Sequence, residues 1–117
     1  MDTKNGISEG TYMITIYNKA IRDKIPEIIK KSGKTGIFRQ LTNEEFLSEL
    51  EKKLNEEIQE YFLNRSIEEF ADMIEIIYRI IELRNIDKEE FEKIRIEKMR
   101  KNGGFTKNLF LLEVKAC

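Results

Sequence analysis

The chain has 117 residues, the length of one ordinary domain, with 37% charged and 40% hydrophobic residues and a formal net charge of −1. That balance offers no electrostatic footing for nucleic acid or an anionic membrane, and no apolar run reaches the ~20 residues of a spanning helix. Histidine is absent and Cys117 is the single cysteine, which excludes imidazole acid–base catalysis, zinc held by His or Cys, and internal disulfides.

Residues 1–12, MDTKNGISEGTY, are polar, carry no periodicity and lack a signal-peptide core, so they read as a flexible extension before a single domain over 13–117. A cytoplasmic setting follows from the cysteine usage. MITIY, 13–17, reads as a short strand. Pro26 suits the first turn of a helix and Gly33 its C-terminal cap, which predicts a short helix of about two turns. GIFRQL, 36–41, reads as a short extended segment.

Three longer helices follow, each opening on a capping-box pattern: Thr42 with Glu45, Ser66 with Glu69, and Asp87 with Glu90. The first runs to about Phe62 on an apolar face of Phe46, Leu47, Leu50, Leu54, Ile58 and Tyr61. The second, from about 67 to 84, is apolar at most positions from Phe70 to Leu83. A helix that apolar must be covered on most sides, so a homodimer or homotetramer is expected. The third ends at Asn102, Gly103 and Gly104, and LFLLEV, 109–114, reads as a second strand that pairs with 13–17. The predicted fold is therefore mainly α: an antiparallel bundle of three main helices and one short N-terminal helix, with short terminal strands.

Two acids interrupt the apolar faces. At about 100° per residue, Glu57 falls between Phe46 and Leu50, and Glu69 between Ile76 and Ile80, each within roughly 20° of its neighbours. A second acid follows each by three residues, Glu60 and then Asp72. A tight turn near LNRS makes the two helices antiparallel neighbours and turns both faces inward. Carboxylates gathered there repel, by roughly 4 kcal/mol for a pair 4 Å apart at an effective dielectric of 20, so protons, basic partners or a cation must offset them. Oxygen donors alone suit magnesium, with manganese as the substitute, and magnesium commonly bridges to phosphate. The competing reading makes these acids caps and surface charge, since Asp72/Glu75, Asp87/Glu90 and Glu89/Glu92 share the same spacing.

Basic residues supply the other half of a phosphate site. Lys19, Arg22 and Lys24 precede the short helix, and Lys98 and Lys101 lie near the end of the last one, where cations also complement the helix dipole.

The blocks YNKAIRDKIPEIIKKSGK, EEIQE followed by EEFAD, and EKMRKNGGFTKNLFLLEV resemble the small MazG-like, phosphoribosyl-ATP pyrophosphohydrolase-like proteins of the all-α nucleotide pyrophosphohydrolase superfamily, over about residues 13–114. The resemblance implies a helical fold that pairs subunits and a magnesium site of the form E-x-x-E then E-x-x-D. Carried onto this chain, the ligands are Glu57, Glu60, Glu69 and Asp72, with Glu56 as an extra acid and Glu57 or Glu60 as catalytic base. The family's basic block falls on Lys19, Arg22, Asp23 and Lys24, and its C-terminal block on Lys98, Lys101, Gly103, Gly104 and Phe105. Two departures stand out: only eight residues separate Glu60 from Glu69, fewer than in larger MazG proteins, and Asn102 replaces an arginine frequent before the glycine pair. The expected reaction is magnesium-dependent hydrolysis of a nucleoside triphosphate between its α and β phosphates. Phosphoribosyl-ATP is the alternative substrate, and a non-catalytic helical interaction module the alternative of another class.

Overall fold

The computed structural model describes residues 13–116 and contains four helices, α1 (Ile25–Lys31), α2 (Asn43–Asn64), α3 (Glu68–Leu83) and α4 (Lys88–Asn102). The predicted extension, 1–12, lies outside the described residues. The chain divides between Leu41 and Thr42 into two compact units.

In the first unit, α1 begins with Pro26 in its opening turn, where the missing N–H costs nothing. Its C-cap is Ser32, and Gly33 follows at φ 82°, a left-handed conformation that glycine adopts without a Cβ penalty. Ala20 is the buried apolar residue described here.

In the second unit, the Thr42 hydroxyl accepts the Glu45 N–H at 3.1 Å, and the Glu45 carboxylate accepts the Thr42 N–H at 3.0 Å. This complete capping box fixes where α2 starts. Thr42→Ala is expected to lower stability by about 1 kcal/mol in urea denaturation. Asp87 caps α4 through one such bond, its Oδ1 accepting the Glu90 N–H at 2.7 Å.

The box expected at Ser66 does not form. Asn64 Oδ1 takes the Ser66 N–H at 2.8 Å, Ser66 Oγ accepts from the Glu68 N–H at 3.3 Å, and the Glu69 N–H turns to the Ser66 carbonyl at 3.2 Å. Ile67 becomes the N-cap without a side-chain cap bond, because local side-chain bonds of Asn and Ser compete for the same N–H groups. The Glu69 carboxylate is thereby released from capping.

Only three residues join α2 to α3, with Arg65 in the left-handed conformation at φ 56°, so the two helices pack as an antiparallel pair. Tyr61 meets Phe70 with ring centroids 4.4 Å apart, while Glu57, further back on α2, reaches Asp72, further on along α3. All six residues of the expected α2 face are buried or half-buried. Leu50 and Ile76, 5% and 6% exposed, are the buried apolar side chains described in this unit. Against this pair α4 is a lighter addition: it packs on α3, with Lys88 Nζ 4.2 Å from the Tyr78 ring centre, and its backbone does not approach that of α2.

The predicted strands are corrected by the structure. Neither 13–17 nor 109–114 forms a strand, and the described residues contain none. A strand needs a neighbour for its row of N–H and C=O groups, and neither segment has one. Their apolar side chains stand exposed, as does Phe105 at 99%. The segment 36–41 likewise has no regular structure.

Candidate functional site

Three of the four predicted acids come together. Glu57 from α2 and Glu69 and Asp72 from α3 each offer a carboxylate oxygen, all within 4.8 Å of one another. Glu57 and Glu69 occupy contact-line positions that the periodicity otherwise reserves for apolar side chains, and Asp72, three residues beyond Glu69, joins them from the edge of that line. Glu69 is 9% exposed, the most covered charged residue described, and Glu57 and Asp72 are half-buried. Glu60 lies one turn beyond Glu57 but is exposed and outside the cluster; Glu56 is exposed too.

Asn64, which the pattern of acids did not single out, positions the cluster. Its amide donates to Glu69 Oε2 at 3.0 Å while its carbonyl oxygen holds the turn at Ser66. The only sequence signal for it was its place in the LNRS turn.

The electrostatics follow from burial. Burial raises the Glu57 carboxyl above its usual range, assisted by a side-chain hydrogen bond to Glu69 and by the negative charge of Asp72, with Lys53 opposing. Two carboxyl groups share a hydrogen bond only if one carries a proton, so Glu57 holds a proton here more tightly than a free glutamate. Sign follows directly: a carboxyl whose folded pKa lies above 4.5 adds stability below that pH and loses it as pH rises through the folded value. In chelator, the melting temperature is therefore expected to fall as pH climbs upward from about 4.5 through that window. Glu57→Gln should flatten this part of the profile.

The donor set fits a hard cation. At magnesium–oxygen distances of 2.0–2.1 Å, adjacent octahedral ligands lie about 2.9 Å apart and opposite ones about 4.2 Å, so the three oxygens, within 4.8 Å of one another, would draw together around an ion. Neutralising the trio with a divalent ion would remove the repulsion among its carboxylates.

The basic residues distribute differently. Lys19, Arg22 and Lys24 belong to the first unit, where Lys19 lies 5.4 Å from the Tyr17 ring centre and Lys24 is the α1 N-cap. Asp23, beside them, is exposed. Lys98 and Lys101 are exposed on α4. The loop after α4, with Gly103 at φ 87°, Gly104 and Phe105, lines a shallow hollow of about 340 Å³.

No family model matches the chain, and no solved structure matches it. A stretch of 40 residues, 34% of this chain, is 45% identical to an uncharacterized protein of Mycolicibacterium smegmatis. That stretch covers 41% of the relative, so the chain spans less than half the length of the curated protein it matches. Its description assigns no activity. Among the described residues, no helix is long and apolar enough to cross a membrane.

Proposed function

We propose that the chain is a magnesium-dependent nucleotide pyrophosphohydrolase that cleaves a nucleoside triphosphate between its α and β phosphates, giving the monophosphate and pyrophosphate. The observation that carries this reading is the clustering of Glu57, Glu69 and Asp72 on two facing helices, with Glu69 covered and freed from capping. Three carboxylates gathered this closely suit a divalent cation, and a hard cation in a carboxylate site commonly bridges to phosphate.

Glu57, Glu69 and Asp72 would hold the ion, with Glu60 at the open edge. When bound, magnesium or manganese supplies charge neutralisation for the phosphates and the departing pyrophosphate. The chain's own part is to place a water against the α-phosphorus and take its proton. Glu57 and Glu60 are the candidates for that task, Glu60 the less committed of the two because Glu57 would also hold the ion. As water oxygen bonds to the α-phosphorus, the bond to the bridging oxygen breaks and its electron pair leaves with pyrophosphate. Asn64 keeps Glu69 oriented throughout. Lys98 and Lys101, exposed on α4 in the same unit as the acids, are basic side chains available to the outer phosphates. Nucleotide and magnesium, in a cytoplasmic setting, are the partners this reading implies.

The test is pyrophosphate release from ribo- and deoxyribonucleoside triphosphates and from phosphoribosyl-ATP, in magnesium and in chelator. Release that requires magnesium is the expected result, and the ranking identifies the substrate. A folded protein silent across the panel would sink the reading.

A further inference from the structure

Among the described residues every arginine and every lysine but one is exposed. The exception is Lys53, half-buried on α2. An ammonium group drawn out of water loses hydration that an acidic neighbour or a bound anion must replace. At about 100° per residue, Lys53 lies roughly 40° from Glu57 on the side of Phe46, and Glu60 lies roughly 60° from Glu57 on that same side. The three form one row along the helix, with Lys53 a turn before Glu57 and Glu60 a turn after it. Lys53 and Glu57 are about 6 Å apart along the axis, within the reach of a lysine stem.

This row differs from an ordinary surface charge pair. Lys52, the preceding residue, is exposed and paired with Glu49 at 3.1 Å. Lys53 makes no ion pair with a described carboxylate. Burial is the largest influence on the Glu57 carboxyl, and Lys53 is the one basic group that acts against it. Its charge therefore reaches the acidic cluster without being tied to a single partner. A lysine stem can also lie along apolar side chains with its head in water, and Phe46 and Leu50 offer that cover. A lysine in that role alone would leave the affinity of the cluster for other charges unchanged.

With a divalent ion on Glu57, Glu69 and Asp72, the Lys53 ammonium is repelled from Glu57, because like charges a few ångströms apart oppose one another. It then stands at the rim of the site with an unmatched positive charge, which a polyphosphate would match. We propose that Lys53 is a phosphate-binding side chain of the acidic site, offsetting the carboxylates before a cation binds and holding phosphate afterwards. This role rests on the cation site proposed above. Lys53 shares a helix with Glu57, whereas Lys98 and Lys101 stand on α4, whose backbone does not approach that of α2.

The experiment is a pair of titrations on the full chain and on variants at this position. Manganese is titrated without phosphate, through the electron paramagnetic resonance signal of the free ion. Tripolyphosphate, which presents phosphates without a base, is titrated by calorimetry in saturating magnesium. Lys53→Met keeps the stem and removes the charge. It is expected to bind manganese about three- to tenfold more tightly, since a positive charge beside the ion is gone. It should bind tripolyphosphate at least about tenfold more weakly. Lys53→Gln, a second neutral variant, should repeat both shifts, and Lys53→Arg, which keeps the charge, should show neither. Opposite signs separate this role from a structural one, because lost packing would weaken both titrations. A wild-type chain without saturable manganese binding overturns the cation site and this role with it. A wild type that binds manganese, while Lys53→Met matches it in either titration or weakens in both, overturns the role of Lys53 alone.

Discussion

Glu57→Gln and Glu69→Gln should each abolish magnesium-dependent pyrophosphate release, by at least about a hundredfold, while the protein stays folded. A hundredfold corresponds to about 3 kcal/mol of transition-state stabilisation, within the several that a correctly held cation contributes. Glutamine keeps the shape and the hydrogen bond that Asn64 donates to position 69, so a loss would report charge and ligation rather than packing. A second signature has the opposite sign. Without a cation, neutralising Glu57 removes a partly covered carboxyl from beside Glu69 and Asp72, so the chelated variant should melt above the chelated wild type. Magnesium should raise the melting temperature of the wild type and leave the variant unchanged. Loss of activity with higher cation-free stability distinguishes a site residue from a structural one. Scaffold damage would lower both.

Ile76→Ala and Leu50→Ala carry the largest expected stability effects. Each removes a buried side chain from the contact between α2 and α3, where the loss of transfer energy and the cavity left behind together cost about 2–5 kcal/mol. Against total stabilities of about 5–15 kcal/mol for ordinary domains, that is a large fraction. The interior around these two residues is otherwise half-buried, so little neighbouring structure is available to offset the loss. Urea denaturation should show a lower midpoint for both, and a shift below about 1 kcal/mol would contradict the packing described. Ile74→Ala, at a position nearly half exposed, should cost much less.

Much of this architecture was legible because its causes are local. Pro26 and Gly33 bracket α1, Thr42 with Glu45 opens α2, and Asp87 opens α4, each through bonds made within a few residues. The apolar period of α2 named the face that is covered, and the same count placed Glu57 and Glu69 on the contact line. Ser66 misled for a physical reason. The sequence pattern of a capping box does not record that Asn64, two residues earlier, takes the Ser66 N–H first. Asn64 thereby positions Glu69, a role that spacing among acids alone does not reveal. The terminal segments 13–17 and 109–114 show a different limit. Their composition favours strands, but a strand depends on a distant partner, and apolar composition does not specify one. Glu60 and Asp72 share the same three-residue spacing from their contact-line acids, and only Asp72 joins the cluster. Such spacing defines a neighbourhood on a helix; the packing of the opposite helix decides which neighbour turns inward.

The most direct measurement of the central claim is a titration of the full chain with manganese, followed by the electron paramagnetic resonance signal of the free ion. Glu69→Gln and Asp72→Asn are titrated alongside. A saturable site on the wild-type chain, competed by magnesium and lost in both variants while their helical content is unchanged, is the expected result. A wild-type chain that leaves the manganese signal unaltered, or variants that bind as the wild type does, would contradict it.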